Sequence, residues 1–434
     1  MESPVDGLSF FAAPAARITL SSEEALREGH ERPKLSGVLS NFCGVRSTGY
    51  RTGSASSRGT AERDSEVLLA LVASGLVRMQ AWKGVPDRAR PYNRNLQLAL
   101  DRMAARCAVD GRGDAPAHVG ELVWEWAAKR PLNLWPLTFP AEAQVGGEKL
   151  LIDGEPTEFC HEWAVEAADV VGEVHESALI AQVRLVASGH GRPEVYAEWR
   201  KFVTENSVVT PLQMLTMKNK FVDVPQWANL LDESYEEVPP EATVAGRIGV
   251  CGACRQWITP STSGNWRCTT WRCVRSQAGS NPDLVSAQGL LRLRRELVRS
   301  VALPGLPELK LAHALAGRGA QVVLYPEFDS LDLFALWPCG FSVAVDVKDW
   351  LKPYLLARRI KRFPVWAEPH RYAYKKAALV VPADRTRANS AYCQIVRTHS
   401  DALRAQPHIA VLTDEQLIAQ CPDTGEQGVV TCGP

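Results

Sequence analysis

Residues 331–348 read Leu-Asp-Leu-Phe-Ala-Leu-Trp-Pro-Cys-Gly-Phe-Ser-Val-Ala-Val-Asp-Val-Lys. Two apolar runs, Leu331 to Leu336 and Phe341 to Val347, flank a short turn at Pro338 to Gly340, the pattern of two adjacent strands. Asp332 begins the first run, and Asp346-Val347-Lys348 ends the second. Side chains alternate along a strand, so Asp346 and Lys348 share one face and Val347 points to the other. Pairing of the two strands brings Asp332 onto the same face. Two carboxylates and the Val347 backbone carbonyl are hard oxygen ligands that suit magnesium, with sites left for water and a phosphate oxygen. Lys348 then stands beside the attacking water.

The acid-x-Lys triplet has no weight by itself. With 49 acidic residues and 13 lysines in 434 positions, chance supplies it roughly 1.5 times, and it occurs at Glu308 and at Asp346. Position gives the second one meaning, because a charge closing an apolar strand is costly unless paired or functional. The plain alternative is a surface ion pair between Asp346 and Lys348.

Upstream, Leu290 to Gly319 reads as one or two helices, the second opening at Pro307 and closing at Gly317 and Gly319. Gln321 to Tyr325 reads as a further strand, Pro353 to Ile360 as a helix, Ala377 to Val381 as a strand, and Ile409 to Leu412 as a late apolar run. From Lys348 to Arg387 there are eleven basic residues against Asp349, Glu368 and Asp384. A solvated basic face is the ordinary reading of such a run, and a nucleic-acid footprint is the other.

The order helix, three strands, helix, strand, with Asp332 and the Asp346-x-Lys348 tripeptide, resembles the PD-(D/E)xK (restriction-endonuclease-like) nuclease superfamily over roughly residues 290 to 415. The resemblance implies a mixed sheet and a magnesium- or manganese-dependent nuclease. It implies Asp332 and Asp346 as metal ligands, Lys348 as the residue that orients or activates water, and Glu308 as the helical acid that some members add. Lys352, Arg358 and Arg359 then become candidates for contacting nucleic acid. Leu331 stands where the name-giving pattern has proline. The run Asp346 to Pro353 and the helical N-terminal half are similar to the endonuclease found beside bacterial PIWI-like proteins and a helicase in three-gene defence islands. That finer likeness implies foreign nucleic acid, DNA before RNA, as substrate, with PIWI-like and helicase proteins as partners.

Cys251-x2-Cys254 and Cys268-x4-Cys273 have the spacing of a four-cysteine zinc ribbon. Four thiolates close the coordination sphere, so the expected zinc is structural rather than catalytic. The four-residue gap in the second pair departs from the commonest ribbon. Between Glu241 and Asp283 no acid occurs, while Arg267 and Arg272 interleave with Trp266 and Trp271, which suits nucleic-acid contact or simple balance of the thiolate charge.

Residues 61–240 show apolar positions at helical spacing, as in Val67, Leu68, Leu71 and Val72. Trp82, Trp124, Trp126, Trp135, Trp163 and Trp199 fit core packing better than base stacking. The acidic, proline-bearing stretch Asp232 to Glu241 reads as a linker. The expectation is thus a multidomain α plus α/β chain: a flexible segment over 1–60, a helical domain over 61–240, a ribbon over 246–280, a nuclease domain over 285–420 and a tail over 421–434. The formal net charge of zero excludes a global electrostatic footprint. No run reaches membrane-spanning length, and the start of the chain lacks a secretory pattern, so a cytoplasmic location is expected. The rival to the nuclease is a non-catalytic nucleic-acid-binding or protein-docking adaptor.

Overall fold

The computed structural model describes residues 55–81, 93–167, 170–260, 265, 266, 268, 270, 273 and 282–423. Most of the expected flexible segment, and all but the first three residues of the expected tail, lie outside these. Residues 55–60, assigned from composition to the flexible segment, belong to the helix Ala55–Ala81.

The N-terminal half is helical, and its tryptophans pack inward. Trp126 and Trp163 are fully buried with Leu69, Val72, Leu96 and Met103. A second core gathers Tyr196, Trp199, Val203, Trp227 and Leu230. Trp124 is the exposed exception, and Trp82 lies outside the described residues.

Neither core stops at a domain boundary. Leu355, from the helix Pro353–Arg359, is buried in the first, with Trp350, Leu351 and Tyr354 packed against it. The second takes in Ile248 and Trp257 beside the cysteines and Leu293, Leu297 and Val301 ahead of the C-terminal sheet. The expected linker is also structured. Ser234 and Tyr235 are buried, and the strand Tyr235–Glu237 pairs antiparallel with Leu291–Leu293. Its acids escape burial by facing outward, where Glu236 accepts a 2.8 Å hydrogen bond from Arg292, while Tyr235 turns inward and donates to the Asn206 carbonyl at 2.7 Å. Acidic composition registered the outer face alone.

The C-terminal half is a mixed five-stranded sheet in the order Ala410–Thr413, Lys376–Val381, Ser342–Val347, Leu333–Leu336, Gln321–Leu324. The strands earliest in sequence form antiparallel hairpins, and the last two pair parallel. Residues 295–317 form one helical run that widens at Val298–Ala302, so Pro307 sits inside the helix Leu303–Gly317 rather than opening it. Leu311, Leu315 and Leu333 pack on one sheet face with Val343, Val345 and Val347. Ala344 and Leu379 pack on the other with Leu356, Tyr392 and Val396. The strand Ser342–Val347 lies at the middle of the sheet, and its last residues set the site.

Trp199 is fully buried and its indole N–H donates to Ser234 Oγ at 2.9 Å. Trp199→Ala removes that packing and the hydrogen bond to the hydroxyl, which still donates to the Leu230 carbonyl at 2.6 Å. A destabilisation of about 3–5 kcal/mol is expected, read as a lowered denaturant midpoint in chemical unfolding of the full chain.

Candidate active site

Leu333 is paired with Val345 in the antiparallel hairpin. One step further along the same register, Asp332 stands opposite Asp346. Val347 goes to the opposite face, buried with Val343 and Val345, as strand alternation requires. The side chains of Asp332 and Asp346 are 6% and 17% exposed, and that of Lys348 31%, so the group is sunk but open on the lysine side. Asp332 Oδ2 accepts from the Val347 amide at 2.6 Å and from Lys348 Nζ at 3.3 Å. Lys348 Nζ also donates to Asp346 Oδ1 and, at 3.3 Å, to the Val347 carbonyl. One ammonium thus touches all three oxygen groups expected to face a metal.

Charge explains how the titrations divide. Burial pushes Asp346 up to about 7, and the neighbouring Asp332 carboxylate adds to it. Burial would raise Asp332 too, yet Lys348 and Arg200 outweigh it and hold that carboxyl below the usual range. Burial works against the Lys348 cation, but Asp332 and Asp346 keep its pKa above that of a free lysine. The two carboxyl groups lie within hydrogen-bonding reach of each other. Like charges that close are tolerated only with a proton or a cation between them. Two carboxylates and a backbone carbonyl form an oxygen donor set that fits a hard divalent ion.

Glu308, the third expected acid, lies buried on the helix Leu303–Gly317 and is held by Arg200, whose Nη2 donates to its Oε1 at 2.7 Å. Its other oxygen, Oε2, has no hydrogen-bond partner. Arg200 also stands 3.7 Å from Asp332 and is ion-paired with Asp329. Sequence reading missed Arg200 and Asp329. A signal for the first existed: Tyr196, Trp199, Arg200 and Val203 have the spacing of one helix face, so a charge stood on a core stripe.

The residues expected to grip nucleic acid are otherwise engaged. Lys352 is buried, donating to the Gln144 carbonyl at 2.8 Å and to Glu148 at 2.7 Å. Arg358 pairs with Glu66 and Glu166, and Arg359 with Glu166. All three fasten the C-terminal half to acids of the helical half. Arg267 and Arg272 lie outside the described residues.

The four cysteines converge. Cys251, Cys254, Cys268 and Cys273 are buried, with all their sulfurs within 4.8 Å of one another. Separations of 3.5 Å for Cys251–Cys273 and 3.6 Å for Cys254–Cys268 approach the ~3.8 Å edge of a tetrahedron with zinc–sulfur bonds of about 2.3 Å. Arg255, just after Cys254, adopts φ +59° and lets the first knuckle turn, its amide bonding back to the Cys251 carbonyl at 2.9 Å. Hydrogen bonds from Cys254 and Cys268 hold Cys273 down near 2, while Cys254 and Cys273 push Cys268 well up. Such a cluster fits a soft cation that would release every proton.

Residues 305–427 match the family model described as the REase associating with pPIWI_RE, and residues 68–210 match that of the pPIWI_RE three-gene island domain Y. The C-terminal half therefore contains a restriction-endonuclease-like domain of a PIWI-associated island, joined in one chain to a domain Y. No curated protein and no solved structure matches the chain. Among the described residues no helix is long and apolar enough to cross a membrane.

Because Arg358 and Arg359 are spent on Glu66 and Glu166, the double variant Arg358→Gln, Arg359→Gln is expected to lower the thermal midpoint by a few degrees, on the order of 1–2 kcal/mol. The salt dependence of DNA binding, read by fluorescence anisotropy, should keep its slope; a clearly shallower slope would instead make them phosphate contacts.

Proposed function

We propose that the chain is a metal-dependent nuclease that hydrolyses phosphodiester bonds of nucleic acid, DNA before RNA, at Asp332, Asp346 and Lys348. In this reading it defends its host against foreign nucleic acid together with pPIWI_RE and a helicase. The observation that carries the proposal is the convergence of Asp332 and Asp346 at the end of the central hairpin, with Lys348 bonded to both, inside the segment that matches an REase family.

Asp332, Asp346 and the Val347 carbonyl would hold magnesium or manganese, which supplies a polarised phosphate and an acidified water. The remaining work falls to the protein. The Val347 amide fixes one oxygen of Asp332, and Arg200 stands 3.7 Å from the other. Lys348, kept cationic by its two acids, orients the nucleophile and steadies charge building on the phosphate. With Lys352, Arg358 and Arg359 engaged elsewhere, contact with the strand passes to exposed Lys361, Arg362 and Lys375 in the segment after the helix Pro353–Arg359. Zinc on the four cysteines would be structural: it ties the strand Arg247–Cys251 to the chain around Cys268 and Cys273 and has no site left for water.

Cleavage of plasmid and single-stranded DNA with manganese tests the proposal. Wild type should cut, alone or with pPIWI_RE added, and Lys348→Ala should lose at least about 100-fold in rate while still binding DNA. Equal cutting by both proteins would overturn the assignment. For the ribbon, metal analysis of purified protein should find one zinc per chain, and Cys268→Ser should lose it together with several degrees of thermal midpoint; a metal-free wild type with the same midpoint as the variant would remove zinc from the account.

A further inference from the structure

Arg200 lies on the helix Pro193–Glu205, inside the segment matched to domain Y, more than a hundred residues before the catalytic hairpin. Its side chain is 11% exposed and reaches three acids carried by three different elements. These are Glu308 at 2.7 Å on the helix Leu303–Gly317, Asp329 in the turn before Asp332, and Asp332 itself at 3.7 Å. Its guanidinium lies 4.2 Å from the centre of the Tyr325 ring, which fixes the plane of the fork.

The turn it grips is strained. Tyr325, Glu327, Phe328 and Asp329 all have left-handed φ, between +49° and +75°, a conformation that costs non-glycine residues free energy and survives only where surrounding contacts impose it. The contacts come from the helical half: Tyr196 donates its hydroxyl to Asp329 at 2.9 Å, and Arg184 and Arg200 pair with the same carboxylate. Asp332 follows three residues later, so whatever holds Asp329 sets where the catalytic strand begins. The two helices also meet without clearance. A Cβ at Gly305 would stand 2.5 Å from Thr204 Oγ1 and 2.9 Å from its Cγ2.

We infer that Arg200 is a positioning residue of the nuclease site, and that the site is complete only with this helix of domain Y in place; the inference rests on the nuclease reading above. Arg200 holds Glu308 by one oxygen, leaving Oε2 without a partner, and pins the turn that delivers Asp332. A shift of about 1 Å in such a group costs on the order of 100-fold in rate. It is also a cation beside the place where a dication binds, so it weakens metal binding as it orders the ligands.

The test combines manganese calorimetry with DNA cleavage on the full chain, with thermal melts run alongside. Arg200→Gln should bind manganese at least threefold more tightly, because a repelling charge is gone, yet cut at least 100-fold more slowly at saturating metal. Arg200→Lys, which restores the charge, should return manganese affinity to the wild-type value and recover part of the cleavage. Gly305→Ala, which changes no ionisable group and presses the helices apart, should slow cleavage at least tenfold. Adding Thr204→Ala should relieve the clash and restore the rate, while Thr204→Ala alone stays within twofold of wild type. Should Arg200→Gln fail to fold, the Gly305 and Thr204 series decides by itself. An Arg200→Gln protein with wild-type affinity and rate overturns the inference, as does one whose losses merely follow a falling melting point without rescue by lysine. A wild type that neither binds manganese nor cuts, even with pPIWI_RE, overturns the nuclease reading instead.

Discussion

The crowding of negative charge at one end of the mixed sheet is the constraint around which this molecule is organised. Asp329, Asp332, Asp346 and Glu308 gather there with little exposure, and buried carboxylates are tolerated only when cations or hydrogen bonds compensate them. The hairpin supplies one cation, Lys348, and one amide, Val347. The rest comes from elsewhere in the chain. Arg200 and Arg184 enter from the helical half, and the left-handed turn at 325–329 is held where those arginines meet it. Local strain, helix packing and long-range ion pairing all answer to the same electrostatic demand.

A second seam of paired charges lies where the segment after the hairpin meets the helical half. Glu162 accepts the amides of Leu351 and Lys352, and burial together with Glu158 pushes its carboxyl up to about 8. Arg385, almost wholly buried, bridges Glu158 and Asp349, while Lys352, Arg358 and Arg359 take Glu148, Glu66 and Glu166. Of the eleven basic residues between Lys348 and Arg387, Lys352, Arg358, Arg359 and Arg385 thus form a mating surface. A buried pair such as Arg385 with Glu158 and Asp349 specifies how two surfaces fit more than it adds net stability, although breaking one costs about 3–5 kcal/mol.

What the sequence revealed, and what it hid, follows from the range of each interaction. The hairpin was legible because its information is local: period-two alternation, a Pro–Gly turn and acids at fixed offsets all fall within 331–348. Cys251, Cys254, Cys268 and Cys273 were legible for the same reason. The stretch 232–241 misled because acids facing solvent dominate its composition while Ser234 and Tyr235 carry the packing. Arg358 and Arg359 misled because Glu66 and Glu166, which neutralise them, lie about 190 to 290 residues away. Arg200 left a trace, a charge on an apolar stripe, but nothing nearby named Glu308 or Asp329 as its partners.

The sharing of Leu355 with the core of Leu69, Trp126 and Trp163 bears on how such a chain can change over evolutionary time. Two segments that match two separate family models would ordinarily be exchangeable parts, to be shuffled between genes like beads on a string. Here a transplanted C-terminal half would arrive with a bare apolar helix and with basic side chains whose counter-charges stayed behind in the donor. Recombination between relatives is therefore expected to keep the two segments together, and substitutions on one side of the seam should be answered by substitutions on the other.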